Sequence, residues 1–186
     1  MIKAIITDFD GTLVDTFEAN LCAYQDAFFQ VGITLTSEKY RECFGYRFDR
    51  FMAAVGIKDD TIANRIRELK RDVYPKYFTH LTPNKNLLEL LSTFHHMGGK
   101  TAIASTARKE NLMNAIYYLG IADYFDYIYA GEDVKQGKPS PEIYQSVMSV
   151  LGVSPDEVMI FEDSEVGFMA AEASGAKYIR VDGSWF

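Results

Sequence analysis

Asp8 and Asp10 are two carboxylates whose spacing would let them act on one substrate. They follow the run 2–7, which is short, apolar and rich in β-branched residues, and which therefore predicts a buried strand that ends at Asp8. Side chains two positions apart at a strand end can face the same side, so one acid can serve as a nucleophile and the other as a proton donor. Gly11 allows a sharp turn before Thr12. An ordinary acidic turn would have the same composition, so this motif alone leaves both interpretations open.

Ser105 and Thr106 are hydroxyl residues between a predicted strand, 101–104, and a predicted helix that starts near Arg108. At the start of a helix the backbone N–H groups are free, and together with side-chain hydroxyls they suit a phosphate group. A simple helix N-cap would use the same residue types. Ser105 and Thr106 are therefore candidate phosphate ligands, with N-capping as the structural alternative.

Lys138 stands between Gly137 and Pro139, just before a helix that we expect to start at Ser140 and Pro141. A cation fixed at this place could neutralise a bound phosphate or the charge on a leaving group. A solvated surface lysine is the structural alternative. Pro139 restricts the backbone of the lysine before it, but this motif alone leaves both interpretations open.

Glu162 and Asp163 follow the predicted strand 158–161. Carboxylate oxygens are hard ligands of the kind that Mg²⁺ prefers. Acidic residues are also common at the start of a helix, where they interact favourably with its dipole, and a helix is predicted from Glu165. The pair is therefore a candidate metal site, with N-capping as the alternative.

The order of elements places these motifs together. Parts 1–14 and 84–186 alternate strands and helices, which is typical of a parallel α/β sheet, and such sheets bind ligands outside the carboxyl ends of their strands. Part 15–83 has helical periodicity without a convincing strand, which predicts an inserted all-helical domain; Pro75 should kink or end its last long helix. The predicted strands cover 2–7, 100–105, 127–130, 158–161 and 178–181, and the helices outside the insert cover 86–97, 108–119, 140–152 and 165–174.

Four carboxylates at one sheet edge need a compensating charge. If Asp8, Asp10, Glu162 and Asp163 pack together, they cannot all stay ionised unless something offsets their repulsion. A divalent cation would do so and would give the acids a common purpose. The convergence of polar motifs at one edge therefore predicts Mg²⁺ as a cofactor.

The composition narrows the possible partners. The chain has 186 residues, 48% of them hydrophobic, which is enough for a folded core, and its net charge of −7 argues against broad contact with nucleic acid or anionic lipid. Its N-terminal apolar run is too short for a signal peptide, and no apolar window is long enough to span a membrane. Cys22 and Cys43 lack a metal-like spacing, and we expect reduced thiols. We expect a cytoplasmic monomer that acts on a small phosphorylated metabolite.

The motifs, taken in order, resemble those of a known family. Asp8-Phe9-Asp10-Gly11-Thr12, then Ser105, Lys138-Pro139 and Glu162-Asp163 are similar to the four motifs of the haloacid dehalogenase (HAD) superfamily of phosphotransferases. The resemblance covers nearly the whole chain. Its helical insert resembles the small cap of the phosphoglycolate phosphatase and β-phosphoglucomutase branch. The resemblance implies a Rossmann-like HAD core, 1–14 and 84–186, with a central parallel sheet and an all-helical cap domain, 15–83.

The resemblance also implies a role for each matching residue. Asp8 would be the nucleophile that becomes an aspartyl phosphate. Asp10 would protonate the leaving oxygen and later activate water. Lys138 would bridge the phosphate and the nucleophile. The implied phosphate ligands are Gly11, Thr12, Ser105 and Thr106, and the implied Mg²⁺ ligands are Asp8, the backbone carbonyl of Asp10, Glu162 and Asp163.

Single positions separate the activities within this family. Dehalogenases lack the second aspartate and phosphonatases have alanine there, whereas this chain has Asp10. Sugar phosphomutases of the β-phosphoglucomutase type often carry a cap histidine where this chain has Asn20, and valine where it has Thr12. The resemblance therefore favours a Mg²⁺-dependent phosphatase that hydrolyses a small phosphomonoester through an aspartyl phosphate. A sugar phosphomutase and a non-catalytic phosphate-binding HAD-fold protein are the alternatives.

Arg47 is the candidate for substrate selection. It lies in the segment 44–48, whose glycine, aromatic residues and arginine resemble the substrate-specificity loop of the family. Its guanidinium could bind a carboxylate or a second phosphate in a bidentate fashion. An exposed arginine on a cap helix is the structural alternative.

Overall fold

The chain forms two compact units. The computed structural model describes all 186 residues. We call Met1–Asp15 with Thr82–Phe186 the core unit, and Thr16–Leu81 the helical unit. No helix in either unit is long and apolar enough to cross a membrane.

Seven strands and eight α-helices make up these units. The strands are β1 (Ala4–Thr7), β2 (Val14–Asp15), β3 (Thr82–Pro83), β4 (Lys100–Ala104), β5 (Tyr127–Tyr129), β6 (Val158–Glu162) and β7 (Lys177–Arg180). The helices are α1 (Phe17–Gln30), α2 (Ser37–Cys43), α3 (Phe48–Ala54), α4 (Asp60–Val73), α5 (Lys85–His96), α6 (Lys109–Leu119), α7 (Glu142–Leu151) and α8 (Glu165–Ser174).

A parallel five-stranded sheet forms the centre of the core unit. Its strand order is β5-β4-β1-β6-β7, so β1 lies in the middle and pairs with β4 and β6. All four residues of β1 are buried, as expected for a parallel strand covered on both faces. On one face, Ile6, Ala102 and Ile160 pack with Val147 of α7 and Ala170 of α8. The predicted α/β class with a central parallel sheet is confirmed.

Prolines lie at two helix boundaries, of which the first falls two residues later than predicted and the second agrees with the prediction. Helix α7 begins at Glu142 and not at Ser140, because Pro141 takes the N-cap position. In the helical unit, α4 ends at Val73, and Pro75 lies in the 3₁₀ segment that follows it. Since proline cannot donate the backbone hydrogen bond that an α-helix interior requires, the change of helix type close to it is expected.

A short antiparallel ribbon of β2 and β3 marks where the chain leaves and re-enters the core unit. Directly after β3, the fully buried Asn84 holds the loop that follows β1: its Nδ2 donates to the Thr12 carbonyl at 3.2 Å and its backbone N–H to the Leu13 carbonyl at 2.9 Å. Its Oδ1 accepts from the Leu87 N–H at 3.0 Å and so caps α5. Asn84 thereby ties the start of α5 to the loop that carries the acidic motif.

The helical unit has its own aromatic core. Phe28 of α1, Tyr40 of α2 and Phe51 of α3 are buried together with Ile66 and Leu69 of α4. The rings of Tyr40 and Phe51 meet edge to face with centroids 5.7 Å apart, a geometry that aromatic pairs prefer. The apolar stripes of these helices therefore close a core within residues 16–81.

Candidate active site

Three neighbouring strands lead into the candidate residues. Strand β1 runs directly into Asp8, β4 into Ser105, and β6 ends with Glu162 and is followed by Asp163. Because the three strands are parallel and adjacent, their carboxyl ends lie at the same edge of the sheet. The topology therefore places these four side chains together, although up to 155 positions separate them in the sequence.

Lys138 links Asp8 to Glu162. Its Nζ donates to Asp8 Oδ1 at 2.6 Å and also to Glu162 Oε1. The Lys138 side chain is only 2% exposed, so these charges face one another with little water between them. Burial raises the pKa of the Asp8 carboxyl well above its usual value; Lys138 opposes this effect, and the neighbouring acids add to it. Burial lowers the pKa of Lys138, but the Asp8 and Glu162 carboxylates outweigh it and hold that pKa well above its usual value.

Glu162 is fully buried and both of its oxygens are occupied. Oε1 accepts from Lys138 and from the Tyr144 hydroxyl at 2.9 Å. Oε2 accepts from the backbone N–H groups of Asp163 and Ser164 at 3.0 and 3.1 Å, and from Ser164 Oγ at 3.2 Å. Burial raises the pKa of Glu162, but Lys138 and the hydrogen bonds outweigh this and leave the pKa below its usual value. The carboxylate is therefore held in one orientation and stays charged.

Asp163 packs directly against the loop that follows β1. Its Oδ1 accepts a hydrogen bond from Thr12 Oγ1 at 2.9 Å. A Cβ on Gly11 would lie 2.3 Å from Asp163 Oδ2, and the backbone φ of Gly11 is +89°, so only glycine fits there. Burial, followed by the charge of Glu162, raises the pKa of Asp163 to about 6.

Ser105 lies beside the second aspartate. It is buried, its Oγ donates to Asp10 Oδ2 at 3.4 Å, and it accepts from the Ala107 N–H at 3.0 Å. Thr106 is half-buried, and its carbonyl packs so closely on Gly131 that a Cβ there would lie 2.6 Å from it. The hydroxyl of Ser105 therefore lies between the Asp10 carboxylate and the turn that leads into α6.

The acids of the site suit a divalent cation. Asp8, Glu162 and Asp163 each offer a carboxylate oxygen, and these three oxygens lie within 4.8 Å of one another. The hydrogen bonds described above use Oδ1 of Asp8 and Oδ1 of Asp163, and each of these oxygens accepts only one of them. A hard cation with oxygen ligands, such as Mg²⁺, fits this donor set.

Comparison with known proteins identifies the family of this chain. A family model described as haloacid dehalogenase-like hydrolase matches residues 5–181. The chain is also 32% identical over 184 residues to the phosphorylated carbohydrates phosphatase of Thermotoga maritima, covering 96% of this chain and 84% of that protein. The chain belongs to the haloacid dehalogenase-like hydrolases. It is an enzyme of the phosphatase type, a phosphoric monoester hydrolase.

Solved structures of HAD hydrolases share its fold. CbbY from Rhodobacter sphaeroides in complex with phosphate aligns with a TM-score of 0.89 at 27% identity, covering 100% of this chain and 88% of that one. A mutant of CbbY from the same organism has been crystallised with xylulose-(1,5)bisphosphate. A putative β-phosphoglucomutase from Thermotoga maritima aligns with a TM-score of 0.72 at 30% identity, covering 99% and 89% of the two chains.

One residue singled out in the sequence belongs to the helical unit, and two residues that contact Glu162 were not assigned a place in the site from the sequence. Arg47 lies in the helical unit, where it is the exposed N-cap of α3 and makes no ion pair. Tyr144 and Gly167 both touch Glu162: the first donates to it, and a Cβ on the second would lie 2.0 Å from Glu162 Cδ. The sequence gives little indication of either contact: Tyr144 carries a hydroxyl on the apolar face of α7, and Gly167 is a glycine inside α8.

Proposed function

We propose that this HAD hydrolase is a Mg²⁺-dependent phosphatase of small phosphomonoesters, of the phosphorylated-sugar class, and that it acts through an aspartyl phosphate on Asp8. The observation that carries the proposal is the position of Asp8. Its side chain is 9% exposed, its Oδ1 accepts from Lys138 at 2.6 Å, and one of its oxygens lies within 4.8 Å of oxygens of Glu162 and Asp163. One relative is named a phosphorylated carbohydrates phosphatase, and the CbbY mutant was crystallised with xylulose-(1,5)bisphosphate; both support the substrate class.

The proposed reaction has two displacement steps. In the first, an Asp8 oxygen attacks the phosphorus, the bond from phosphorus to the ester oxygen breaks, and Asp10 gives its proton to the leaving oxygen. In the second, water attacks the phosphorus of the aspartyl phosphate and gives its proton to Asp10. The bond between phosphorus and the Asp8 oxygen then breaks, which releases phosphate and restores both carboxyl groups.

Positive charge is needed because a carboxylate and a phosphate dianion repel each other. Lys138 already contacts the nucleophile and is the protein's own cation at this place. Mg²⁺, when bound, would add charge stabilisation at the oxygens of the transferring group. We assign it to Asp8, the Asp10 carbonyl and Asp163, with Glu162 acting through water, because the Glu162 oxygens already accept five hydrogen bonds.

The remaining candidates would hold the phosphoryl group and the rest of the substrate. Ser105 Oγ, beside Asp10, would donate to a phosphoryl oxygen, together with the backbone N–H groups of Thr12 and Thr106. The Gly11 N–H already donates to the Val14 carbonyl at 2.8 Å, so Gly11 would contribute through the turn that it allows. We propose that Arg47 binds a second anionic group of the substrate, since its guanidinium has no acidic partner in the protein. Arg47→Ala should raise KM for a bisphosphate and leave KM for p-nitrophenyl phosphate unchanged. Equal KM values for the bisphosphate would reject this role.

A sugar phosphomutase is the second candidate, because one structural neighbour is a putative β-phosphoglucomutase. A mutase would need a bisphosphate activator and would convert one sugar phosphate isomer into another. The two activities separate when a sugar monophosphate is supplied and both isomer and inorganic phosphate are measured. Release of phosphate without isomer supports the phosphatase.

The test of the proposed function uses the nucleophile. Purified protein should hydrolyse p-nitrophenyl phosphate and members of a panel of phosphorylated sugars, and chelation of Mg²⁺ should stop it. Asp8→Asn should reduce kcat on the order of 10³-fold or more, because the covalent step loses its nucleophile. Asp49→Asn, a change of the same kind at an exposed acid of α3, should leave kcat unchanged. If Asp8→Asn turns over like the parent, the assignment of the nucleophile is wrong.

A further inference from the structure

Tyr144 is a fully buried tyrosine whose hydroxyl faces the active site. It lies in the first turn of α7, six residues after Lys138, and is among the largest side chains with no exposed surface. Its hydroxyl donates to Glu162 Oε1 at 2.9 Å, a hydrogen bond between α7 and the end of β6. A buried hydroxyl needs a partner, and here the partner is a carboxylate that also binds Lys138.

The same oxygen of Glu162 serves two donors. Oε1 accepts from both the Tyr144 hydroxyl and Lys138 Nζ, and Lys138 also donates to Asp8. The Lys138 ammonium lies 5.1 Å from the centroid of the Tyr144 ring, within the range of a cation–π contact. Lys138 therefore has two carboxylates and one aromatic face around it, and Tyr144 supplies the face and also bonds one of the carboxylates.

We propose that Tyr144 is a positioning residue that determines how Lys138 is shared between Asp8 and Glu162. Its hydroxyl takes up part of the negative charge on Glu162 Oε1, which weakens the competing attraction of that oxygen for the ammonium. The ring limits movement of the ammonium away from Asp8. Both effects keep Lys138 on the nucleophile, where the transferring phosphoryl group would need it. This inference rests on the proposed phosphatase function.

A purely structural role would have different consequences. Helix α7 also buries Ile143, Val147, Met148 and Leu151, so the ring of Tyr144 is part of an apolar face. A phenylalanine would fill almost the same volume and keep the ring beside Lys138. If the ring alone mattered, removal of the hydroxyl would change stability at most, and would leave the chemical steps as they are.

The experiment compares Tyr144→Phe with the parent in Mg²⁺-dependent hydrolysis of p-nitrophenyl phosphate. Loss of a hydrogen bond to a charged group should lower kcat about tenfold, with KM changed less than about twofold. The matched control is Tyr178→Phe, at a half-buried tyrosine of β7 whose ring stacks on Phe168; its kcat should equal that of the parent. Tyr144→Leu also lacks the hydroxyl, and its kcat should fall at least as far as that of Tyr144→Phe.

A double-mutant cycle separates positioning from packing. Glu162→Gln already reduces the charge on the acceptor, so addition of Tyr144→Phe to it should lower kcat by much less than the tenfold seen in the parent background. Equal effects of Tyr144→Phe in both backgrounds, or a kcat like the parent's for Tyr144→Phe, would overturn the inference while the phosphatase assignment stands. A parent enzyme that hydrolyses no phosphate ester would overturn both.

Discussion

Gly167 leaves open the space into which the Glu162 carboxylate folds: a Cβ on Gly167 would lie 2.0 Å from Glu162 Cδ and 2.1 Å from each of its oxygens. This glycine lies in the first turn of α8, and Glu162 accepts hydrogen bonds from the backbone immediately before that helix. The carboxylate that holds Lys138 can therefore approach the start of α8 only because position 167 has no side chain.

Gly167→Ala should consequently impair catalysis more than folding. Alanine is a better helix former than glycine, so the backbone of α8 tolerates it, but the Glu162 carboxylate must move and give up some of its five hydrogen bonds. Lys138 then loses one of its two fixed partners, and kcat should fall at least about tenfold. Steady-state kinetics and thermal unfolding of the same samples check this.

The matched control for Gly167→Ala is Gly183→Ala, because a Cβ on Gly183 would meet no atom within 4 Å. This variant should keep the kcat of the parent. An unchanged kcat in Gly167→Ala would mean that the orientation of Glu162 does not matter for the reaction.

Lys138→Met should destabilise the metal-free protein as well as abolish its activity. The substitution leaves the carboxylates of Asp8 and Glu162, which are 9% and 0% exposed, next to each other without their cation. Removal of one partner from a buried ion pair typically costs about 3–5 kcal/mol of unfolding free energy. Urea unfolding at pH 7 in the presence of a chelator measures this loss.

The pH dependence of that loss identifies its cause. Without Lys138, the pKa of Glu162 should rise above its unfolded value, and the pKa of Asp8, which is already raised, should rise further. The folded variant therefore binds more protons than the folded parent, and its stability relative to the parent should recover as the pH falls. Lys135→Met, at an exposed lysine three residues earlier, should unfold like the parent at every pH. A deficit in Lys138→Met that is the same at pH 5 and pH 7 would point to lost packing and not to unpaired charge.

The sheet and the acids that follow its strands could be predicted because the patterns that indicate them lie within short segments of the sequence. Short β-branched runs end in Asp8 and Glu162, and the alternation with helices implies a parallel sheet whose strand ends share one edge. Lys138 was a candidate from its local context, and the family resemblance added its role beside the nucleophile; its contact with Asp8 spans 130 positions. The strand order β5-β4-β1-β6-β7, by contrast, depends on pairing between distant segments, which local periodicity does not contain.

The partners of Glu162 lay beyond sequence reasoning for a similar reason. Tyr144 occupies an apolar position of α7, and nothing in its neighbourhood shows that its hydroxyl meets a carboxylate 18 residues later. In the sequence, Gly167 looks like any glycine within a helix, and only the Glu162 carboxylate that packs against it shows why a side chain is excluded there. Both roles come from the packing of α7 and α8 against the end of β6, which exists only in the folded protein.

Mg²⁺ binding should weaken as the pH falls through about 6, because Asp163 would have to lose its proton to bind the cation. Burial, followed by the charge of Glu162, raises the pKa of Asp163 to about 6, and burial also raises that of Asp8, which adds to the same trend. Below this pH each unit should reduce the apparent affinity by about tenfold per proton displaced. The stability of the metal-free protein should change with pH in the opposite direction to Mg²⁺ binding. The folded state holds the Asp163 proton up to about pH 6, whereas the unfolded state loses it near pH 3.8. Asp163 therefore makes the free energy of unfolding fall as the pH rises between those two values.

The shift of the unfolding temperature at a fixed Mg²⁺ concentration, measured from pH 5 to pH 8, tests this expectation. The stabilisation by Mg²⁺ should be small at pH 5 and should grow until Asp163 and Asp8 are ionised. Asp163→Asn should remove most of the stabilisation at every pH, because the amide is a weaker ligand and has no proton to displace. Asp182→Asn, at an exposed acid of the C-terminal segment, should keep the response of the parent. A stabilisation of the parent that is equal at pH 5 and pH 8 would show that the cation does not compete with protons for these carboxylates, and the metal would then have to be placed elsewhere.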